Sequence, residues 1–316
     1  MSGAALCPQF PVFWQKTDQE MSVERDFSLV APFAVKAPAQ QRIPFVFNSP
    51  HSGRYYPASF LEASRLDSHA IRYSEDCYTD ELFASVVRLG APLLKAHFPR
   101  AFLDVNREPY ELDPRMFEEA LPPFTNSQSA RVAGGLGTVP RLVGEGQMIY
   151  PGRIALEEAF YRIEDLYKPY HQQLETLLQS TRRQFGYAVL IDCHSMPGGI
   201  RPGEVGARPD FIIGDRFGRS CNERLTQAAI ALLRDLGYSV AHNKPYAGGF
   251  ITEHYGRPAV ACHALQIEIN RSLYINEQSL EKLPGFAALC ADLYQFLGDL
   301  TSLPDDLFIV PPLAAE

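Results

Sequence analysis

Short apolar runs alternate with segments of helical periodicity along most of this chain. The apolar runs are typical of buried strands, and they cover residues 43–49, 91–98, 100–106, 187–195, 209–215, 238–243 and 259–270. Amphipathic spacing predicts helices over 78–90, 154–185, 216–237 and 277–300, with Pro169 marking a kink or break in the second. The stretch "GGFITEHYG" at 248–256 favours an extended segment or a loop.

This alternation predicts an α/β fold with a mostly parallel, mixed sheet flanked by helices in three layers. Ligands of such sheets bind at the carboxyl ends of the strands. Polar residues follow several predicted strands, in the segments "NSPHSG", "DVNRE", "DCHSMP" and "EINRSLY". We therefore expect one functional site at that edge of the sheet.

The chain divides by pattern into a single catalytic domain with an irregular segment at each end. We expect the domain over 41–302, an irregular N-terminal extension over 1–40 and a Pro-rich tail over 303–316. Residues 109–152 are rich in Pro and Gly and lack periodicity, which predicts a loop-rich insertion near the site. Its Gly-rich part lacks the GK[ST] of a phosphate-binding loop, so no nucleotide cofactor is expected.

Composition narrows the possible partners and compartment. The formal net charge of -8 argues against a nucleic-acid surface, and no apolar run is long enough to span a membrane. The N-terminus lacks the basic start and apolar run of a signal peptide. Six cysteines are scattered singly, which is typical of reduced thiols. We expect a cytoplasmic protein acting on a small molecule.

Two histidines follow predicted strands and are candidate metal ligands. His51 precedes Ser52 and Gly53 in a turn, and His194 ends a strongly apolar strand. Asp192 lies two residues before His194 and therefore shares its strand face, where its carboxylate could accept a hydrogen bond from the ring nitrogen that does not bind the metal. The alternative is a buried Asp–His pair that serves stability alone.

A catalytic zinc site needs a third protein ligand and an open position for water. The segment "SEDCYTDEL" offers Glu75, Asp76 and Asp80. Acidic residues are also common in the first turn of a helix, where they complement its dipole. The spacing alone leaves the choice among the three open.

Glu268 is the candidate general base. It alternates with Ile267 and Ile269 on the last predicted strand, so Gln266, Glu268 and Asn270 share the opposite face. Near a metal-activated water it would accept and later return a proton. An ion pair with an arginine is the alternative.

Several arginines and asparagines are candidates for binding a substrate carboxylate or an oxyanion. Guanidinium groups suit bidentate carboxylate binding, whereas most arginines are simply solvated. We assign catalytic roles to Arg107 and Arg271 and substrate-binding roles to Arg141, Asn106 and Asn270. Cys193 points to the face opposite His194, which favours a core position over a nucleophile.

Six motifs together resemble the N-formylglutamate amidohydrolase family. They are "FNSPHSGRYYP", "EDCYTDEL", "FLDVNREP", "YKPYH", "IDCHSMP" and "ALQIEINRSLY", in order between about residues 43 and 300. The resemblance implies a phosphorylase/hydrolase-like fold related to zinc carboxypeptidases and aspartoacylase. It also implies one zinc ion and hydrolysis of N-formyl-L-glutamate to formate and L-glutamate, the last step of one histidine-degradation route.

The resemblance implies roles for particular positions. His51, Asp76 and His194 match metal ligands, and Glu268 matches the catalytic glutamate of the carboxypeptidases. The carboxypeptidase HxxE motif is absent, because Arg54 stands three residues after His51. Among the acidic candidates, Asp76 is the first choice of ligand, Glu75 the second and Asp80 the third. The alternatives in function are a zinc deacylase of another N-acyl amino acid or small peptide, and a non-catalytic metal-binding relative.

Overall fold

The computed structural model describes residues 27, 30–144, 146–199 and 208–308. Contacts divide the chain into two compact units. The loop-rich unit comprises residues 1–33, 54–74 and 97–175, and the sheet unit comprises residues 34–53, 75–96 and 176–316. Within the described ranges, no helix has both the length and the apolar character needed to cross a membrane.

The sheet unit is built on a seven-stranded sheet. The strands of the molecule are β1 (Phe33–Lys36), β2 (Phe45–Ser49), β3 (Leu93–Ala96), β4 (Leu142–Val143), β5 (Gln147–Met148), β6 (Ala188–Met196), β7 (Phe211–Gly214), β8 (Val240–His242) and β9 (Cys262–Asn270). The order in the large sheet is β1-β3-β2-β6-β9-β7-β8. β2, β3, β6 and β9 run parallel, β7 is antiparallel to β9, and β8 is parallel to β7. The predicted mostly parallel, mixed sheet is confirmed.

One face of the sheet is mainly apolar. Phe47, Ile191 and Ile267 on this apolar face belong to one buried core cluster. The same cluster contains residues of four helices: α2 (Thr79–Leu82), α3 (Val86–Leu89), α7 (Glu223–Asp235) and α9 (Phe286–Leu300). Burial of apolar surface contributes about 25 cal/mol per Å², so this layer stabilises the sheet unit.

The opposite face, which we call the site face, changes character along the strands. Near the strand starts it carries Val46 and Leu190, which are fully buried. Towards the carboxyl ends it carries polar side chains, because the same alternation brings Asp192 and His194 to this side. Helix α8 (Phe250–Tyr255) lies on this face, where Thr252 contacts Asp192.

The loop-rich unit has few regular elements. It holds α1 (Ala58–Ala63), α4 (Ala130–Ala133), α5 (Leu156–Arg162), the antiparallel β4–β5 hairpin and the start of α6 (Lys168–Phe185), which enters the sheet unit at Thr176. Short 3-10 turns in the molecule cover Ala70–Ser74, Pro114–Met116, Pro258–Val260, Arg271–Leu273 and Asp305–Leu307. A π-helical segment, Ile163–Tyr167, joins α5 to α6 just before Pro169. The interruption predicted at Pro169 is thus a change of helix type, since proline cannot donate a backbone hydrogen bond.

The prediction of a strand over 100–106 is wrong. This segment is a buried irregular turn whose carbonyl groups accept bonds from helix side chains rather than from a neighbouring strand. Arg162 Nη1 donates to Phe102 O at 2.9 Å, His171 Nε2 lies 2.8 Å from Val105 O, and Tyr167 Oη donates to Arg107 O. Side chains can supply the hydrogen bonds that buried backbone groups need, just as a neighbouring strand can. Apolar content alone does not show which of the two partners a segment has.

Other predicted boundaries also shift. Residues 248–256 hold α8 rather than an extended segment, and 78–90 forms two short helices ending at Gly90. The helix predicted from 277 begins only at Phe286, because Pro284 and Gly285 precede it. The helix predicted from 216 begins after Asn222, whose side chain caps the Arg224 amide.

The two ends of the described chain are more ordered than predicted from their composition. β1 lies within the segment expected to be irregular, 1–40, most of which lies outside the described residues. At the other end, Phe308 is 2% exposed and stacks on Tyr187 with ring centroids 5.1 Å apart.

Candidate active site

Parallel pairing of β2 with β6 brings the two candidate histidines together. Asn48 is paired with Asp192, so the turn after Ser49 carries His51 to the level of His194. The Asp76 amide donates to the His51 carbonyl at 3.0 Å, and this bond ties the acidic segment to the same turn. Three positions that are distant in the sequence therefore meet at the carboxyl end of the sheet.

His51, Asp76 and His194 form one buried cluster. Each offers a ligand atom, and these atoms all lie within 4.8 Å of one another. The two imidazole rings are 4.9 Å apart between centroids, and all three residues are at most 3% exposed. This is the arrangement that a metal ion with two imidazole ligands and one carboxylate ligand requires.

The Asp76 carboxylate faces the histidines with one oxygen and an arginine with the other. Oδ2 lies 2.8 Å from His194 Nδ1 and 3.4 Å from His51 Nδ1, and Oδ1 accepts from Arg271 Nη2 at 2.9 Å. Burial by itself would raise the pKa of Asp76, but the bonds to His194 and His51 outweigh it and hold the pKa well below its usual range. Asp76 is therefore ionised at neutral pH.

The second carboxylate of the cluster orients His194 from the opposite side. Asp192 Oδ2 lies 3.0 Å from His194 Nε2, and its Oδ1 accepts from Asn48 Nδ2 at 2.9 Å. Burial would lower the pKa of His194, yet the charge and hydrogen bond of Asp192, together with those of Asp76, raise it well above its usual value. A carboxylate at Nε2 fixes the orientation of the imidazole and leaves Nδ1, which faces Asp76, as the candidate metal-ligating atom.

The structure distinguishes Asp76 from the other two acidic candidates. Asp80 forms an ion pair with Lys95 at 2.8 Å, and Glu75 Oε2 accepts from the Cys77 thiol at 3.3 Å. Neither belongs to the group of side chains that meet at His51 and His194. The observed contacts thus support Asp76 as the third ligand.

Glu268 lies beside the cluster on the neighbouring strand. β9 pairs with β6 so that Glu268 is the register partner of His194 and Gln266 is the partner of Asp192. Register partners on adjacent strands share a sheet face, so Glu268 and His194 are neighbours on the site face. Glu268 is 7% exposed, and its Oε1 accepts from Gln266 Nε2 at 2.8 Å.

Arg271 and Asn270 follow directly at the end of β9. Besides its ion pair with Asp76, Arg271 donates through Nε to Ser195 Oγ at 3.0 Å. Asn270 caps the following turn by accepting from the Ser272 amide at 3.0 Å. Arg271 therefore contacts the cluster through Asp76, whereas the side-chain oxygen of Asn270 accepts a hydrogen bond from a backbone amide.

The remaining candidates lie in the loop-rich unit, where each has a carboxylate or backbone contact. Arg107 Nη2 lies 3.4 Å from Asp104 Oδ2, while Nε donates to the Leu136 carbonyl and Nη1 to the Asn106 carbonyl. Burial lowers the pKa of Arg107 to about 10, so the guanidinium remains charged at neutral pH. Arg141 Nε pairs with Asp113 at 2.9 Å.

Two polar residues that support the cluster, Asn48 and Gln266, have no role assigned from the sequence. Both are fully or nearly fully buried, and both share a cross-strand row with Asp192. A buried amide in an otherwise apolar strand was the available signal, but its importance depends on strand register.

Cys193, in contrast, lies in the apolar core as predicted, and burial raises its thiol pKa well above the usual value.

Comparison with known proteins gives consistent matches. A sequence model of the N-formylglutamate amidohydrolase family matches residues 43–275. N-formylglutamate deformylases of Pseudomonas aeruginosa and Pseudomonas putida are each 29% identical to this chain, over 75% of its length and 84% of theirs. The crystal structure of N-formylglutamate amidohydrolase from Ralstonia eutropha JMP134 is 34% identical with a TM-score of 0.80, covering 86% of this chain and 98% of that one. The predicted fold class and family resemblance are confirmed.

Proposed function

This chain belongs to the N-formylglutamate amidohydrolase family, whose members are hydrolases acting on amides, and we propose that it hydrolyses N-formyl-L-glutamate to formate and L-glutamate. The observation that carries the proposal is the convergence of His51, Asp76 and His194 beside Glu268. The names of the two Pseudomonas relatives support the choice of substrate. As further parts of the proposal, the enzyme acts in the cytoplasm and completes one route of histidine degradation.

We propose that His51, Asp76 and His194 hold one zinc ion. The donor set fits, because two imidazoles and one carboxylate leave a position open in a four-coordinate zinc site. When bound, such an ion supplies Lewis acidity that polarises an amide carbonyl and makes water a stronger nucleophile. Asp192 would keep the His194 ring in a fixed orientation, and Arg271 would do the same for the Asp76 carboxylate.

Proton transfer falls to Glu268 in this proposal. Its carboxylate would take a proton from the attacking water and deliver it to the nitrogen that leaves as the glutamate amine. Arg107, Arg141 or Arg271 would bind a substrate carboxylate or stabilise the negative charge on the carbonyl oxygen during attack. Asn106 and Asn270 remain proposed substrate contacts.

The direct test is metal content measured together with turnover on N-formyl-L-glutamate. We expect about one zinc per chain, loss of activity in a chelator and recovery on adding zinc. A parallel screen of N-acetyl and N-succinyl amino acids identifies a deacylase of another substrate. Full turnover of metal-free protein would contradict the metal-dependent mechanism, and stoichiometric zinc without turnover on any acyl amino acid would indicate a non-catalytic relative.

Glu268→Gln separates the proton-transfer role from metal binding. The variant keeps the size of the side chain but cannot act as a base, so kcat should fall about 100- to 10,000-fold. Zinc content should stay at the wild-type value, because Glu268 is outside the proposed ligand set. His194→Ala is the matched contrast, with loss of both zinc and turnover.

A further inference from the structure

We propose that Gln266 is a positioning residue that holds Glu268 in its working orientation. This inference rests on the proposed function, since it assigns a role to a neighbour of the proposed general base. Gln266 lies one row below Glu268 on the same face of β9 and is 4% exposed. A buried primary amide is costly unless its donors and acceptor are paired, so its contacts indicate what it does.

Chemistry fixes which way the Gln266 amide points. The backbone N–H of Gly249 can only donate, and it lies 2.8 Å from Oε1 of Gln266. Thr252 Oγ1 also approaches this oxygen, at 3.4 Å. The Nε2 end must therefore face Glu268, where it donates to Oε1 at 2.8 Å. A donor aimed at one carboxylate oxygen fixes the plane of that carboxylate.

The anchor on the other side of Gln266 exists because β7 carries a glycine. Gly214 is the register partner of Gln266, and a Cβ there would lie 2.8 Å from backbone atoms of Ala247 and Gly248. The absent side chain lets residues 247–249 cross the site face and present the Gly249 N–H to Gln266. Backbone thus restrains the amide, and the amide restrains the carboxylate.

The same row orients the imidazole of His194. Asn48, Asp192 and Gln266 are register partners on three adjacent strands, and the row above holds His194 and Glu268. Asp192 supports His194 from below, as Gln266 supports Glu268. The structure thus gives each of the two upper residues its own polar support, and Gln266 is the support specific to Glu268.

The test is Gln266→Met, which keeps the length of the side chain and removes the donor. We expect kcat to fall about 10- to 100-fold, as for a small misplacement of a reacting group, while KM changes by less than about threefold and zinc content stays constant. Gln41→Met is the matched control, because Gln41 also donates to backbone carbonyls of the sheet unit, those of Ile43 and Phe45. A fall in kcat of the same size in Gln41→Met would mean a general structural effect and would overturn the inference.

A double-mutant cycle with Glu268→Gln distinguishes positioning from stability. If Gln266 acts through Glu268, adding Gln266→Met to Glu268→Gln should reduce the residual kcat by less than about twofold. A further reduction as large as that in the wild-type background would refute the inference. Loss of turnover in Glu268→Gln with unchanged kcat in Gln266→Met would refute the role of Gln266 alone, whereas full turnover in Glu268→Gln would refute both proposals.

A second variant covers the case in which Gln266→Met does not fold. Gln266→Glu keeps the shape and the acceptor for the Gly249 amide, and it replaces the amide donor to Glu268 with a carboxyl group that repels Glu268 when ionised. We expect kcat to fall at least about tenfold with zinc content unchanged. Wild-type kcat in Gln266→Glu from about pH 7 to about pH 9, where the new carboxyl group becomes ionised, would show that the donor is dispensable and would end the proposal.

Discussion

At the scale of single residues, the Asp76 carboxylate contacts different groups with its two oxygens. Oδ2 faces both imidazoles, and Oδ1 is held by Arg271. A carboxylate held on one oxygen presents the other in a fixed direction, which lowers the entropy lost when a ligand binds. Arg271 therefore belongs with Asp192 among the residues that hold the proposed metal-ligating side chains in place.

Asp76→Asn should reduce zinc affinity at least about 100-fold, because it removes a charged ligand and disturbs both its partners. The neighbouring Asp80→Asn is the matched control, since Asp80 pairs with Lys95 outside the cluster. Its zinc affinity should stay close to wild type. Equilibrium dialysis against a zinc buffer, with metal analysis, measures both. Zinc loss in Asp80→Asn alone would reverse the assignment of the acidic ligand.

Asp215, after β7, should make stability depend on pH at the acid end. Burial would raise its pKa, but bonds from Asn243, the Gly218 amide, His242 and Thr226 lower it. The ionised form is thus favoured in the folded state. Its contribution is fully present above the ordinary aspartate pKa of about 3.9 and is lost as pH falls through the lower folded value.

We therefore expect Asp215→Asn to cost about 1–3 kcal/mol of unfolding free energy at neutral pH. The difference from wild type should shrink as the pH falls from about 4 towards 3. Urea unfolding of both proteins across this range measures the difference. A gap that widens on acidification would contradict the expected sign.

At the scale of elements, the sequence predicted the strands better than the segments between them. β6 and β9 carry long apolar runs with alternation, and both were placed within a few residues. The segment 100–106 has the same apolar content, but side chains of α5 and α6 satisfy its backbone. The ligand cluster was predictable because polar residues at the ends of parallel strands must meet. The role proposed for Gln266 could not be predicted from the sequence, because it depends on the strand register and on Gly214.

Gly214→Ala tests how closely residues 247–249 must approach β7. The new Cβ would meet backbone of Ala247 and Gly248, which cannot rotate away, so the unfolding free energy should fall by about 1–3 kcal/mol. kcat should also fall, because the Gly249 amide would be displaced from Gln266.

Gly298→Ala in α9 is the contrasting variant. Its Cβ would meet only Leu89 Cδ2 at 3.9 Å, an ordinary contact, and alanine favours the helix interior. This variant should gain about 0.5–1 kcal/mol with unchanged kcat. Urea unfolding and steady-state kinetics measure both variants. A Gly214→Ala protein as stable as wild type would show that residues 247–249 can move without cost.

At the scale of the whole molecule, the proposed metal ion should stabilise the fold. Its ligands come from three separate segments of the sheet unit, so the ion binds the folded chain in preference to the unfolded one. The five cysteines in the described part of the chain are free thiols, so no disulfide there stabilises the fold.

Zinc at about 100 times its Kd should add about 2.7 kcal/mol of unfolding free energy. For a chain of 316 residues, that corresponds to a rise in Tm of about 4 °C over the chelated protein. Differential scanning calorimetry with and without chelator measures the shift. Asp76→Asn should show almost none of it, and an equal shift in that variant would place the stabilising ion elsewhere.

The position of β9 has a consequence for how the protein is made. It is the last strand in the described part of the chain, yet it lies between β6 and β7. Until the ribosome has released residue 270, β6 exposes an unpaired edge along nine residues that are all buried in the finished sheet. Such an edge readily pairs with a second nascent copy and aggregates. Yield in the cell should therefore depend on how quickly translation passes from 196 to 270 and on chaperones that shield that edge meanwhile.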